Sequence, residues 1–147
     1  MAASRSTSSN ECAIEIDRRT VPGETHAQVL AEVDQVLDEI RRREPTFDIE
    51  REAPAVADWP LDTPADSAIA RAGLAACRAI RGPTDLGAVP YGSDASKLSV
   101  FGRILSIVLG PGDIAQAHTA DEWVPVAEVV QAAEIYAQAA VELGRAA

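Results

Sequence analysis

The stretch "APAVADWPLDTPAD", residues 53 to 66, carries three of the chain's nine prolines, Pro54, Pro60 and Pro64. Each proline fixes φ at about −65° and removes a backbone donor, so neither a helix interior nor a central strand can run through the segment. It reads as a stiff linker with a boundary near residue 57, and the chain on either side has to build its own structure.

Upstream of the linker, residues 1 to 9 are serine-rich without periodicity and are expected to form a disordered tail. In "CAIEID", Cys12, Ile14 and Ile16 alternate with Ala13, Glu15 and Asp17, the period of a strand with one buried face. "RTVPGE" ends that pattern. Thr25 with Gln28 three positions on makes a capping box, and Val29, Leu30, Val33, Val36, Leu37 and Ile40 follow at helical spacing. Three arginines, Arg41 to Arg43, suit the negative end of the helix dipole before Pro45 stops it. "TFDIER" alternates again through Phe47 and Ile49, which predicts a strand–helix–strand unit.

Downstream, Thr63, Pro64 and Asp66 start a second helix with Ile69, Gly73, Leu74, Cys77 and Ile80 on its buried stripe, closed by Gly82-Pro83. The run "ILSIVL", residues 104 to 109, predicts a strand covered on both faces. A last helix is expected from about Val124 to Leu143, with Val126, Val129, Val130, Ala133, Tyr136 and Ala140 facing inward. There is no internal repeat.

Thirteen Lys plus Arg against 23 Asp plus Glu give a formal charge of −10, which opposes nucleic acid and anionic membranes by repulsion. Aromatic residues at 4% offer no base-stacking platform. No apolar run approaches a membrane span and the start lacks the apolar segment of a secretory signal, so a soluble, cytoplasmic protein is expected. Cys12 and Cys77 lack the spacing of a zinc ribbon and read as reduced, buried thiols.

His118, in "LGPGDIAQAHTADEW", lies past the Gly110-Pro111-Gly112 turn and ahead of Asp121 and Glu122. A neutral imidazole there can ligate zinc, with a carboxylate behind its other nitrogen. On the residues alone a lone histidine is weak evidence for a ligand and reads first as a loop histidine satisfied by hydrogen bonds. His26, in the first turn of the first helix, reads as exposed, and Asp94 of "GSDA" as a helix cap.

Three segments in order, "AIEIDRRTVPGET", "YGSDASKL" and "GPGDIAQAHTADEWV", followed by an amphipathic helix, resemble the C-terminal portion of a zinc metallopeptidase family. That family comprises acetylornithine deacetylase, succinyl-diaminopimelate desuccinylase, aminoacylase-1 and carboxypeptidase G. The resemblance covers residues 10 to 145. It implies an α/β fold class: residues 10–57 as the second half of a ferredoxin-like (βαβ) lid that mediates dimerisation, and residues 58–147 as the C-terminal segment of an α/β catalytic domain. By position, His118 matches the last zinc ligand, Arg19 the arginine that binds the substrate's carboxylate, and Gly92 and Ser93 a substrate-binding segment. Arg18 reads as a solvated neighbour.

The resemblance further implies two zinc ions, an N-acyl amino acid or dipeptide-like amide as substrate, and a possible homodimer through the lid. The family's His-x-Asp pair, bridging Asp, Glu-Glu pair and further acidic ligand have no counterpart in this sequence, and neither does the lid's first half. The expectation is therefore a C-terminal fragment of a zinc amidohydrolase, inactive by itself and carrying no catalytic residue of its own. The alternative is a truncated, non-catalytic interaction module.

Overall fold

The computed structural model describes residues 4–8 and 11–146, which divide into two compact units, Met1–Ala57 and Asp58–Ala147. In the first unit, β1 (Ser4–Ser8) pairs antiparallel with β2 (Glu11–Ile14), Ser4 opposite Ile14 and Arg5 opposite Ala13, with an irregularity before Ser8 meets Glu11. The tail expected to lack structure thus contributes a strand at residues 4–8; residues 1–3 and 9 lie outside the described part. Helix α1 (His26–Arg43) begins where the capping box predicts. The Gln28 N–H donates to Thr25 Oγ1 at 3.3 Å and the Thr25 N–H donates to Gln28 Oε1 at 2.9 Å.

The expected strand–helix–strand unit does not form, because residues 47–50 adopt no strand. Their polar backbone is claimed locally: the Phe47 N–H donates to the Glu44 carbonyl, and Arg41 donates to the Ile49 carbonyl at 2.7 Å. Arg51 forks onto Asp34 of α1 at 2.7 and 3.0 Å, tying the segment back to the helix by charge. Ile14 and Ile16, expected on a buried face, are 74% and 75% exposed, and Phe47 is exposed as well. Cys12 is likewise exposed rather than buried. A two-stranded ribbon that makes no contact with α1 leaves them without a covering surface. Among the described residues of this unit, Val29 is the buried apolar one.

The second unit is built on α2 (Ala68–Arg81) and α4 (Val126–Ala146), which pack against each other, with the short α3 (Ala95–Gly102) between them in sequence. Ser67 caps α2, accepting from the Ala70 N–H, and Gly82 ends it at φ 87°. The core consists of Ala70, Ala72, Ala76, Ala132 and Ile135, with Gly73 also buried. A Cβ on Gly73 would lie 2.6 Å from Ile107 Cδ1, so the glycine is what lets segment 104–109 lie against α2.

That segment is not the expected central strand. Val108 is 44% exposed, as are Ile104 and Leu105 to a greater extent. Its carbonyls are occupied by hydroxyls instead of a neighbouring strand: Ser99 Oγ and Ser106 Oγ both donate to Ile104 O, Thr63 Oγ1 to Ser106 O, and Tyr136 Oη to Leu109 O. Helix α4 is also rotated from its expected phase. Ala132 and Ile135 are buried, whereas Val126, Val129, Val130, Ala133, Tyr136 and Ala140 face outward, Val126 at 79% exposure. The described residues are therefore mostly helical, with a single short hairpin, and show neither a ferredoxin-like lid nor an α/β sheet.

Candidate functional site

After β2 the chain runs without regular structure to α1, and Asp17, Arg18, Arg19 and Glu24 fall in that stretch. The Arg18 guanidinium grips Glu24 with two bonds, 2.8 and 2.6 Å, and the same carboxylate accepts the Val21 N–H at 2.9 Å. These donors, Arg18 first, hold Glu24 down to a pKa of about 2. Arg18, expected as a solvated charge, is instead the locked member of the arginine pair. Arg19 reaches a single oxygen, Asp17 Oδ2, from Nε at 3.1 Å and Nη2 at 2.9 Å, with both side chains two-thirds exposed. An exposed pair of this kind contributes about 0–1 kcal/mol, so an incoming carboxylate can displace Asp17. Arg19 is thus the arginine open to exchange.

Gly92 and Ser93 precede α3. Ser93 is half-buried, and its carbonyl accepts both the N–H (3.2 Å) and the Oγ (2.9 Å) of Ser96, which is itself buried. The Ser93 hydroxyl donates to nothing among the described residues. Asp94 stands at the N-cap position of α3 but has helical φ and ψ and makes no capping bond. A cap side chain needs an extended backbone to turn onto the first N–H groups. Asp94 pairs with Lys97 at 3.0 Å instead, and this bond, with the charge of Asp58, raises the Lys97 pKa.

The loop that carries His118 is held from α4. Glu128 Oε2 accepts the Gly112 N–H at 2.9 Å, and Tyr136 donates to the Leu109 carbonyl at 3.0 Å, so both flanks of the Gly-Pro-Gly turn are anchored. Gly112 has φ 90°, and a Cβ there would lie 3.3 Å from Val124 Cγ2. Asp113 caps a 3-10 turn, Ile114–Gln116, through the Ala115 N–H. His118 then sits at φ 62°, a left-handed conformation uncommon for a residue with a side chain. Its own N–H donates to Glu122 Oε2 at 3.3 Å. Glu122 therefore braces the backbone of His118 rather than its ring. The ring is exposed and has no hydrogen-bond or ion-pair partner among the described residues.

A crevice of about 30 Å³, room for one water, lies beside the turn, lined by Cys77, Arg81, Pro111, Glu128 and Tyr136 among others. It includes neither His118 nor Ser93. No hydrogen bond or ion pair links His118 to Gly92 or Ser93 among the described residues, and Arg19 belongs to the other unit. Among the described residues no group of three or more His, Cys, Asp or Glu is placed to hold a metal ion. Zinc sites use three or four protein ligands, so the donor set described here does not fit a complete one.

Residues 7–142 match the model of Peptidase family M20/M25/M40. The chain belongs to this family. The M20 family consists of metallopeptidases, in keeping with the resemblance read from "RRTVPGE", "GSDA" and "AHTADEW". Acetylornithine deacetylase of Myxococcus xanthus is 29% identical over 128 residues, which cover 87% of this M20 chain and 32% of that protein. The chain thus spans about a third of the length of this relative. No solved structure gives a significant match. No helix among the described residues is long and apolar enough to cross a membrane.

The sequence did not flag Glu128, and it marked Tyr136 only as an inward helix residue and Arg18 only as a solvated neighbour. Glu128 and Tyr136 have their roles through the turn before His118: they act on backbone atoms 16 and 27 residues away, which no local spacing reveals.

Proposed function

We propose that this M20 chain carries one portion of a zinc-dependent amidohydrolase site acting on N-acyl amino acids or dipeptide-like amides. His118 is its metal ligand, Arg19 receives the substrate's carboxylate, and Gly92 and Ser93 line the substrate. The observation that carries this reading is the state of His118. Its backbone is braced by Glu122, its ring is exposed and uncommitted, and it lies within the stretch matched by the family. A guanidinium suits the role given to Arg19 because it can bind both oxygens of a carboxylate at once.

The remaining ligands must come from residues other than those described, and the chain by itself does not hydrolyse amides. Zinc bound to a complete site would supply an activated water; this chain's part is to orient ligand and substrate. The test is metal content after dialysis against zinc, with hydrolysis of N-acetyl and N-succinyl amino acids. The expected result is substoichiometric zinc and no turnover. Stoichiometric zinc, with turnover abolished by His118→Ala, would reject the view that the site is incomplete.

A second reading, a non-catalytic interaction module able to form a homodimer through residues 10–57, is favoured by the exposure of Ile14, Ile16 and Phe47. Sedimentation of the chain separates the two: a concentration-independent monomer removes the module reading.

A further inference from the structure

We infer that Glu128 and Tyr136 are positioning residues for His118, setting where its ring is presented by fixing the turn that leads to it. This rests on the reading of His118 as a ligand, but its geometry stands separately. The two side chains are on one helix, α4, eight residues apart, and α4 is anchored in the unit's core by Ala132 and Ile135, which lie between them in sequence. Their bonds bracket the turn: Tyr136 takes the carbonyl entering it, at Leu109, and Glu128 takes the N–H leaving it, at Gly112.

Between these anchors stand Gly110, Pro111 and Gly112. Pro111 has one free backbone dihedral fewer than other residues, and Gly112 is held at φ 90° with Val124 close by. Beyond the exit the chain has no slack before His118. The Asp113 side chain accepts the Ala115 N–H, the Gln116 and Ala117 N–H groups bond back to Asp113 and Ile114, and the Thr119 N–H and hydroxyl both return to the Gln116 carbonyl. Each of these contacts is local and fixes the loop's internal form. The bonds from Glu128 and Tyr136 reach across 16 and 27 residues and fix that form relative to the core. Removing them leaves a well-formed loop on a loose mounting.

The groups are chemically suited to this. A carboxylate accepting a backbone N–H makes a charge-assisted bond stronger than a neutral one, and a phenol reaches a distant carbonyl with only two side-chain torsions to order. Neither side chain has another hydrogen-bond or ion-pair partner among the described residues, so both are committed to the turn.

The experiment is amide and ring NMR on the whole chain. In Glu128→Ala the Gly112 amide should exchange about tenfold faster, and the amide and ring resonances of His118 should shift or broaden. Tyr136→Phe, which deletes one hydroxyl, should perturb His118 in the same direction. Glu128→Gln keeps an acceptor oxygen and should restore both readouts. Amides of Ala76 on α2 and Ile135 on α4 report whether the helices remain folded; should Glu128→Ala lose them, Tyr136→Phe and Glu128→Gln decide. Unchanged His118 resonances in Tyr136→Phe and in a folded Glu128→Ala overturn the inference. So does a failure of Glu128→Gln to restore them. Zinc content after dialysis tests the proposed function separately: stoichiometric zinc with turnover in the native chain refutes the incomplete site, while the loop measurements still decide this inference.

Discussion

The unit before Asp58 and the unit after it are held in different ways. The first relies on charge: Arg18 on Glu24, Arg51 on Asp34, Arg41 on Asp38, around helix α1, with Val29 the one buried apolar side chain among its described residues. The second relies on contact between two helices, with Ala70, Ala72, Ala76, Ala132 and Ile135 buried. The difference teaches where each candidate residue gets its order. Arg19 sits among exchangeable surface pairs, whereas His118 is reached through hydrogen bonds that start on a packed helix. A substrate carboxylate needs a group that can change partners; a metal ligand needs one that stays in place.

The largest expected effect comes from the packed helices. Ile135→Ala should destabilise the second unit by about 2–5 kcal/mol, since Ile135 is the bulkiest member of an alanine-rich core. Val29→Ala should cost the first unit about 1–2 kcal/mol, the scale of two buried methyl groups with few neighbours to lose. Urea midpoints for the two variants measure the contrast; equal costs would mean that the first unit has a comparable core.

Next comes the turn. Gly112→Ala should cost about 1–2 kcal/mol, because φ 90° brings a Cβ against the backbone and Val124 stands near. A melting temperature matching the native chain would show that the turn can relax and that the anchoring from α4 is weak.

A smaller effect, about 1 kcal/mol, is expected for Thr25→Ala, which removes one half of the capping box of α1. Faster exchange confined to the first turn of α1 is the signature. Loss spreading through the second unit would contradict their separate organisation.

The smallest effect is electrostatic. Glu24 has a folded pKa of about 2, depressed below its ordinary value by Arg18 and the Val21 N–H. A depressed carboxylate contributes stability above its unfolded pKa and loses it as pH falls through the folded value, so the contribution should fade between about pH 4.5 and pH 2. Titrating the Glu24 carboxyl by NMR checks this. In Arg18→Gln the midpoint should rise toward the ordinary range, and a midpoint that stayed near 2 would assign the shift to the backbone.

What the residues made legible was local. Thr25 and Gln28 located the start of α1, and Gly82-Pro83 the end of α2, because a cap and a stop are decided within four residues. The order of "RRTVPGE", "GSDA" and "AHTADEW" made the family legible as well. The sheet was not, since "ILSIVL" and "TFDIER" are apolar or alternating patterns that become strands only when a neighbour takes their backbone groups. Here Ser99, Ser106, Thr63 and Tyr136 take the carbonyls of one, and Arg41 that of the other. The phase of α4 failed for a related reason. Valines and alanines surround that helix on several sides, and the face that packs was chosen by Ile135 and by small α2 residues, not by the count of apolar positions.

The left-handed backbone at Gly112 also has a consequence for inheritance. Every one-base missense change in a glycine codon installs a residue with a Cβ, so each such allele at position 112 meets the same obstacle, whatever its polarity or size. Gly87 and Gly144, where an added Cβ meets nothing and φ is not positive, present no such obstacle. Natural variation should therefore accumulate at those two codons well before it reaches the one that leads into the histidine loop.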